Sequence, residues 1–457
     1  MAGDRSTLFS DVPVRKAVLT LAIPTVISQL ITVVYNMADT FFIGQLNDPL
    51  QVAAATLAMP CFMFLTAFAN LFGLGGSSLI SRCLGSDNEE KARHSAAFCI
   101  WTGIAVSLLY GIAILLLEPV LFPVLGAKAE TWDYLQQYVF WTIGIGAVPT
   151  VMNAEFAHLI RSEGYSKQAG FGVALGGVLN IALDPLFIFV FWLNIAGAAI
   201  ATMLSNVIAM LYFVGFLLRI RKKSVIILNP KLYSVQYKIP SEVITVGLPG
   251  FVMTMMSTIS NTALNHMVAG YSNTAIAGMG IAKKIDLLAY AIAQGMTQGT
   301  LPLIGYNYSS GNLKRMKSAI KTAFAYSLLV AACGTVLLYF FAAPIAGSFI
   351  SNAETVHYGQ HFLKIICLAC PTTAVNFMCI TVFQAISKKV QPLFLSLLRK
   401  GSLDIVFMLL LNGRMGVSGI AWATPFADWI AFMISVALVI PCLKRLNKET
   451  ISKKTHS

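Results

Sequence analysis

Apolar stretches of roughly 20 residues, the length of helix that crosses a bilayer, recur along almost the whole chain. Twelve can be placed, centred near residues 31, 65, 105, 146, 180, 207, 255, 290, 330, 372, 401 and 429. Of the 457 residues, 57% are hydrophobic and 11% charged, and the mean hydropathy is +0.74. Soluble domains carry about 25% charge, so a large soluble protein is excluded. The expected fold is all-α and integral to a membrane, with twelve transmembrane helices.

The net charge is 32 − 19 = +13. In a soluble chain that excess would point to nucleic acid; here its positions point to topology. Basic residues open the chain (Arg5, Arg15, Lys16) and then fill alternate loops: Arg82, Lys91 and Arg93; Arg161 and Lys167; the stretch 219–238; Lys314 to Lys321; and Lys388 to Lys400. A last group, Lys444 to Lys454, forms the tail, and the intervening loops 45–51, 192–196 and 270–274 carry none. The positive-inside rule then puts both termini in the cytoplasm. The first apolar segment is too long for a cleavable signal core and holds Pro24, Asn36 and Asp39. The eight cysteines lie mostly singly within apolar spans, and Cys367-x-x-Cys370 lacks the second pair a zinc site would need.

The chain repeats itself. Leu21-Ala-Ile-Pro24 matches Val246-Gly-Leu-Pro249, Ser86-Asp-Asn88 matches Ser310-Gly-Asn312, and Pro149 matches Pro371, at offsets of 222 to 225. Ile195-Ala-Gly-Ala-Ala-Ile-Ala-Thr202 matches Val417-Ser-Gly-Ile-Ala-Trp-Ala-Thr424 at 222. Six spans restore the starting orientation, so the halves are parallel repeats, the plan of an alternating-access transporter with a central cleft. The expected domains are an N-terminal six-helix lobe at 1–220, a cytoplasmic connector at 221–240, and a C-terminal six-helix lobe with a basic tail at 241–457. The connector is expected to be a short amphipathic stretch on the membrane surface.

The halves differ in chemistry. Asp39 falls opposite Leu264, Asp184 opposite Val406 and Asn180 opposite Ser402. Counting the helical rise from the outer loops puts Asp39 roughly 9–12 Å deep, Asp184 roughly 12–15 Å and Thr202 about 12 Å. Tyr35 and Asp39 share one helical face, as do Asn180 and Asp184. Pro185 cannot donate to the carbonyl of Ile181, which leaves a free acceptor and a kink beside the aspartate. Polar residues in membrane bundles often only bond helices together, but two carboxylates at one depth mark an ion or substrate path. Two carboxylates so placed repel, and both ionise together only with a cation between them.

The segments Tyr35-Asn-Met-Ala-Asp39-Thr-Phe-Phe-Ile-Gly44, Asn70-Leu-Phe-Gly-Leu-Gly-Gly76 with Ile80-Ser-Arg-Cys-Leu-Gly85, Asn180-Ile-Ala-Leu-Asp184-Pro, Ile200-Ala-Thr202 and Pro302-Leu-Ile-Gly-Tyr-Asn307 resemble the multidrug and toxic compound extrusion (MATE) family. The resemblance runs over essentially the whole chain and is nearest to the bacterial MepA-like branch. It implies twelve helices in two lobes and antiport: export of amphipathic, often cationic, organic compounds in exchange for inward H⁺ or Na⁺. It also implies a first-lobe cation site at the positions of Tyr35, Asp39, Tyr138, Asn153, Asn180, Asp184 and Thr202, of which Asn153 lies deeper by the same count of rise. Some relatives hold a glutamate eight residues after the proline matching Pro249; here that position is Ser257, which argues against a second-lobe cation site of that type.

Other polar groups read more blandly. Glu155-x-x-His158 has the spacing of a di-iron ligand pair but lacks further glutamates at its depth, and with Arg161 it reads as a polar cluster near the cytoplasmic mouth. Lys283 and Asp286 read as an intramembrane pair, and Asp404 and Asp428 as packing hydrogen bonds. The expectation is a multi-pass exporter of the bacterial inner membrane, monomeric, with drugs and lipid as its partners, no nucleic acid, no enzymatic activity, and no cofactor or metal beyond the coupling ion, Na⁺ at Asp39 and Asp184 being one form of it. Two rivals are a lipid-linked sugar flippase, which would line its cleft with several arginines, and a polytopic membrane enzyme, which would need a dense polar motif at one membrane face.

Overall fold

A computed structural model describes residues 3–350 and 352–455, with side chains at 7–272, 274–350 and 352–446. The basic residues Arg5, Lys448, Lys453 and Lys454 therefore lie outside the described side chains. Among the described residues every regular element is helical. In order they are α1 (Gly3–Ser10), α2 (Val14–Gly44), α3 (Pro49–Gly85), α4 (Glu89–Leu125), α5 (Ala129–Val139), α6 (Ala147–Ser162), α7 (Ser166–Pro185), α8 (Asn194–Ile220), α9 (Ile239–Ala269), α10 (Asn273–Ser309), α11 (Leu313–Phe340), α12 (Ala342–Phe349), α13 (Ala353–Ile366), α14 (Cys370–Ala385), α15 (Val390–Ser396), α16 (Asp404–Met415) and α17 (Val417–Thr455). Nine described helices are long and apolar enough to cross a bilayer, and α5 with α6, bent by 49°, makes a tenth. The two remaining expected spans are α10, which carries Lys283, Lys284 and Asp286, and α15 running into α16, which carries Arg399, Lys400 and Asp404.

Several helices loosen where polar side chains gather. π-Helical turns occupy Phe140–Ile145 after α5, Leu186–Val190 after Pro185, and Leu397–Leu403 between α15 and α16. Single π turns inside helices free carbonyls and often accompany functional sites. The repeat is visible in the same detail. Asn88 caps α4 through Lys91 N at 3.0 Å and Asn312 caps α11 through Arg315 N at 3.1 Å, satisfying orphan N–H groups at each helix start. The residues just before these caps, Asp87 (φ 54°) and Gly311 (φ 74°), are both left-handed. The fourth and tenth spans also break at matching places, the second through a 3₁₀ turn, Cys367–Ala369, whose Cys367 carbonyl accepts Thr335 Oγ1 at 3.0 Å.

The chain forms two compact units. Residues 1–6 and 27–254 make the first, and 7–26 with 255–457 the second. These differ from the expected 1–220 and 241–457 because two long helices are each shared out. The first half of α2 packs in the second unit, where Gly295 and Gly299 lie against the backbone of Val26 and Ala22. The first half of α9 packs in the first unit, where a Cβ on Gly247 would strike the Leu71 carbonyl. Small residues permit such close backbone contact within membranes.

The connector has little helix: between Ile220 and Ile239 only the turn Pro230–Leu232 is helical. It and the start of α9 are held by polar contacts within the first unit. Glu163 accepts Ser224 Oγ and Val225 N, both at 2.7 Å, His94 Nδ1 meets the Leu232 carbonyl at 2.7 Å, and Glu242 pairs with Lys91 at 2.7 Å and Arg82 at 3.4 Å. Arg399 and Lys400, read as loop residues, lie instead on the π-helical turn of a continuous helix, with Arg399 buried. Each has a carboxylate partner on the same or a neighbouring helix, which a count of loop charges does not register.

Candidate functional site

The site is built in the first unit by α2, α5, α6, α7 and α8. Asn180 and Asp184 sit one turn apart on the last stretch of α7, and both are fully buried. Asn180 Nδ2 donates to Asp184 Oδ1 and to Thr202 Oγ1 on α8, each at 3.2 Å. One amide thus fixes the carboxylate and locks α7 to α8. Tyr35 and Asp39 stand on the adjoining face of α2, half-buried. Tyr35, Asp39, Asp184 and the buried phenol of Tyr138 on α5 are within electrostatic reach of one another. Gly177 permits this convergence, since a Cβ there would come within 2.8 Å of Ile31 Cγ2 and 2.9 Å of Tyr35 Cδ1. The π turn that begins just after Tyr138 has its own bond, Thr142 Oγ1 to the Tyr138 carbonyl at 2.6 Å.

Asn153 on α6 is not bonded to this group. Its Nδ2 donates to Asn206 Oδ1 at 2.8 Å, and Asn206, one turn past Thr202, donates to the Thr202 carbonyl at 2.9 Å. Asn153 therefore extends the polar line further along α8. Asn206 is the residue that the sequence reading missed. Its signal is the Thr202-x-x-x-Asn206 spacing on one helical face.

The polarity of what is left unpaired is informative. Asp39 Oδ1, Asp184 Oδ2, Asn180 Oδ1 and Asn153 Oδ1 are buried without a hydrogen-bond donor. All four are acceptors. A buried polar atom without a partner costs about 1–3 kcal/mol, and more for a charge. Such a set is relieved by a proton on one carboxylate or by a small hard cation among the oxygens. Among the described residues no three His, Cys, Asp or Glu side chains form a metal-holding group, so the chemistry is that of two carboxylates and neutral oxygens.

Outside this site, Glu155, His158 and Arg161 are all buried. Arg161 Nη2 reaches Ser28 Oγ at 3.5 Å, His158 lies against Gly73, and Glu155 lies against Gly103 with neither oxygen hydrogen-bonded. The repeat partners of the first-unit aspartates are inert: Leu264 is buried in the second unit's apolar core and Val406 is exposed. Asp404 and Asp428 accept the packing hydrogen bonds expected of them, from Ser260 and Thr424 and from Thr373, and each also has an ion pair, with Lys400 and Arg399 respectively. In the turn between α2 and α3, Asp48 caps α3 through Leu50 N at 2.9 Å. The Gln51 side-chain amide, then Leu50 N–H, hold its carboxyl below the usual range. Gln51 Oε1 in turn accepts Ile195 N at 2.9 Å, fastening the start of α8.

Comparison with known proteins agrees with this architecture. The MatE family model matches residues 24–186 and again 249–410, the two repeats. Multidrug export protein MepA of Staphylococcus aureus is 28% identical over 98% of this chain and 99% of its own. The protein of that name from Staphylococcus saprophyticus is 28% identical over 98% of each. A solved structure described as the outward-facing conformation of a multidrug resistance MATE family transporter is 25% identical, with a TM-score of 0.89 over 97% of this chain and 99% of that one. With the family model covering both repeats, the chain belongs to the MatE family.

Proposed function

We propose that this protein is a secondary-active multidrug exporter. It expels amphipathic, often cationic, organic compounds in exchange for inward H⁺ or Na⁺. The observation that carries the coupling is the pair of carboxylates, Asp39 and Asp184, each with a buried oxygen that has no donor, beside the equally unpartnered Asn180 Oδ1. Relatives named as multidrug export proteins, similar over nearly their full length, support the cargo class.

The residues act as follows. With both carboxylates ionised and no cation present, Asp39 and Asp184 repel across a poorly solvated space. A proton on one, or a sodium ion between them, removes the repulsion and supplies the missing partner. Asn180 holds Asp184 and Thr202 at fixed separation, so occupancy changes the balance of forces between α2 and the α7–α8 pair. The π turns after Tyr138 and Pro185 give those helices room to adjust. Coupling requires only that ion and drug favour different states of the protein, and the membrane potential contributes about 2.3 kcal/mol per charge per 100 mV. The protein works as a monomer in the bacterial inner membrane with both termini cytoplasmic, as the alternation of basic loops implies.

Drug efflux from sealed vesicles under an imposed pH or sodium gradient tests this reading. Efflux that follows one gradient and collapses with it is the expected result, and gradient-independent drug movement would count against it. The flippase reading gains little, because it calls for several arginines in the cleft and the buried arginines among the described residues are Arg161 and Arg399 alone.

A further inference from the structure

Glu155 lies outside the ion site and is fully buried on α6, with neither carboxyl oxygen hydrogen-bonded. Its place is made by Gly103 on α4, where an added Cβ would come within 2.2 Å of Glu155 Oε2 and 2.8 Å of Met152 Cε. The wall around it is the apolar core of the first unit, to which Cys99, Ile100, Met152, Phe156 and Leu159 belong.

The helices packed against α6 are α3, α4, α7 and α8. Cys99, one turn before Gly103 on α4, is a titratable side chain within electrostatic reach of Glu155. The charged residues of α3 and α8 are Arg82 and Arg219, those of α4 lie at 89–94 and at Glu118, and those of α7 are Lys167 and Asp184. Among the described residues none of them donates to Glu155. On α6 itself His158 lies against Gly73 of α3, and Arg161 turns to Ser28 of α2 at 3.5 Å with its Nε unpaired. A carboxylate walled off in this way has neither water nor a donor to hold its charge, which costs several kcal/mol inside a membrane. The acid is therefore protonated in this state. Even so, a buried polar group without a partner costs about 1–3 kcal/mol, and an apolar side chain of the same shape avoids that cost. Packing alone does not call for a glutamate here.

Its depth also separates it from the aspartate pair. Glu155 stands seven residues before the end of α6 at Ser162, and Asp184 eighteen residues after the start of α7 at Ser166. By helical rise these are about 10 Å and about 27 Å from the α6–α7 turn, which is cytoplasmic in the topology proposed above. Glu155 thus lies between the ion site and the cytoplasmic face.

We propose that Glu155 is a second proton-binding site of the exporter, which holds a proton in this state and releases it in the state that takes up drug. As α4 and α6 part, the carboxyl O–H bond breaks, the proton leaves to cytoplasmic water, and the carboxylate shares its helix with the unpaired Arg161 Nε. Proton and drug then favour different states, as antiport requires, and the coupling ion includes H⁺. This inference rests on the exporter reading, and the tests separate the two.

Two measurements on the full-length protein decide it, with ethidium as the cationic probe. Infrared spectra of the purified protein at neutral pH should contain a protonated-carboxyl C=O band that is absent from Glu155→Gln and Glu155→Met and that weakens when ethidium binds the wild type. No such band, or a band that ethidium leaves unchanged, overturns the proposal; the second result is what an acid with a packing role alone would give. In proteoliposomes the ratio of ethidium efflux under an inward proton gradient to efflux without one should fall about tenfold in each variant. Both variants are neutral and close to glutamate in volume, so a folding defect in one leaves the other to decide. An unchanged ratio overturns the site. Wild-type efflux driven by sodium alone overturns the site and leaves the exporter reading standing; efflux under neither gradient removes both.

Discussion

At Asn180 a single amide nitrogen serves two acceptors, Asp184 Oδ1 and Thr202 Oγ1, and this division of labour yields two distinguishable predictions. Asp184→Asn keeps the shape of the side chain and removes its charge, so gradient-driven efflux should be abolished while expression and elution as a folded monomer stay near wild type. Retained gradient-driven efflux would refute the role given to the carboxylate. Thr202→Val removes only an acceptor, and an interhelical bond of this kind is worth about 0.6 kcal/mol in a membrane. Efflux should then drop roughly threefold and no more, measured as initial rate in vesicles. The pairs Tyr35–Asp39 and Asn180–Asp184 were legible in the sequence because i,i+4 spacing puts each pair on one helical face. The bond from Asn153 to Asn206 was not legible, since it depends on which face of α6 meets α8. The same blindness hid the burial of Glu155, whose position on the sequence resembles that of a residue at a polar mouth.

Elements carry the site through their irregularities. α7 approaches α2 at Gly177, where an added Cβ would lie 2.8 Å from Ile31 Cγ2. Gly177→Ala should therefore push α2 away and displace Tyr35 and Asp39. Overpacking of this type costs about 1–3 kcal/mol, and transport should fall several-fold with a lowered melting temperature. Gly215→Ala on α8, where nothing lies within 4 Å, is the matched control and should behave as wild type. Twelve span positions could be read from hydrophobic length alone. An irregularity at Pro185 was also readable from the residue type, and a π turn follows it at Leu186–Val190. The π turns at Phe140–Ile145 and Leu397–Leu403 were not, because no local signature distinguishes π from α geometry there. That is why Arg399 and Lys400 were taken for loop charges: their carboxylate partners are Asp428 on another helix and Asp404 one turn along.

For the molecule as a whole, the repeat explains the scaffold and its divergence explains the function. The caps Asn88 and Asn312, the breaks before Pro149 and Pro371, and the threonines 202 and 424 are kept in both halves. The chemistry around them is not: Thr202 accepts from Asn180 beside two carboxylates, whereas Thr424 donates to Asp404 beside Lys283 and Lys400. The sharing of α2 and α9 between the two units could not be read from repeat offsets, which locate equivalent residues but not their neighbours. Orientation remains a matter of charge. In a background without native cysteines, Asn47→Cys should react with an impermeant thiol reagent applied to sealed cells, and Lys222→Cys should not. The reverse pattern would invert the topology.

The most direct test of the central claim, that the Asp39–Asp184 pair carries the coupling ion, is ion flux driven by drug. Purified protein in sealed proteoliposomes is given an outward drug gradient, and internal pH and sodium are followed together. The wild type should move one of the two ions against the drug, and Asp39→Asn and Asp184→Asn should each abolish that flux although the folded protein is present at equal density. Drug-driven ion movement that persists in both variants would contradict the account.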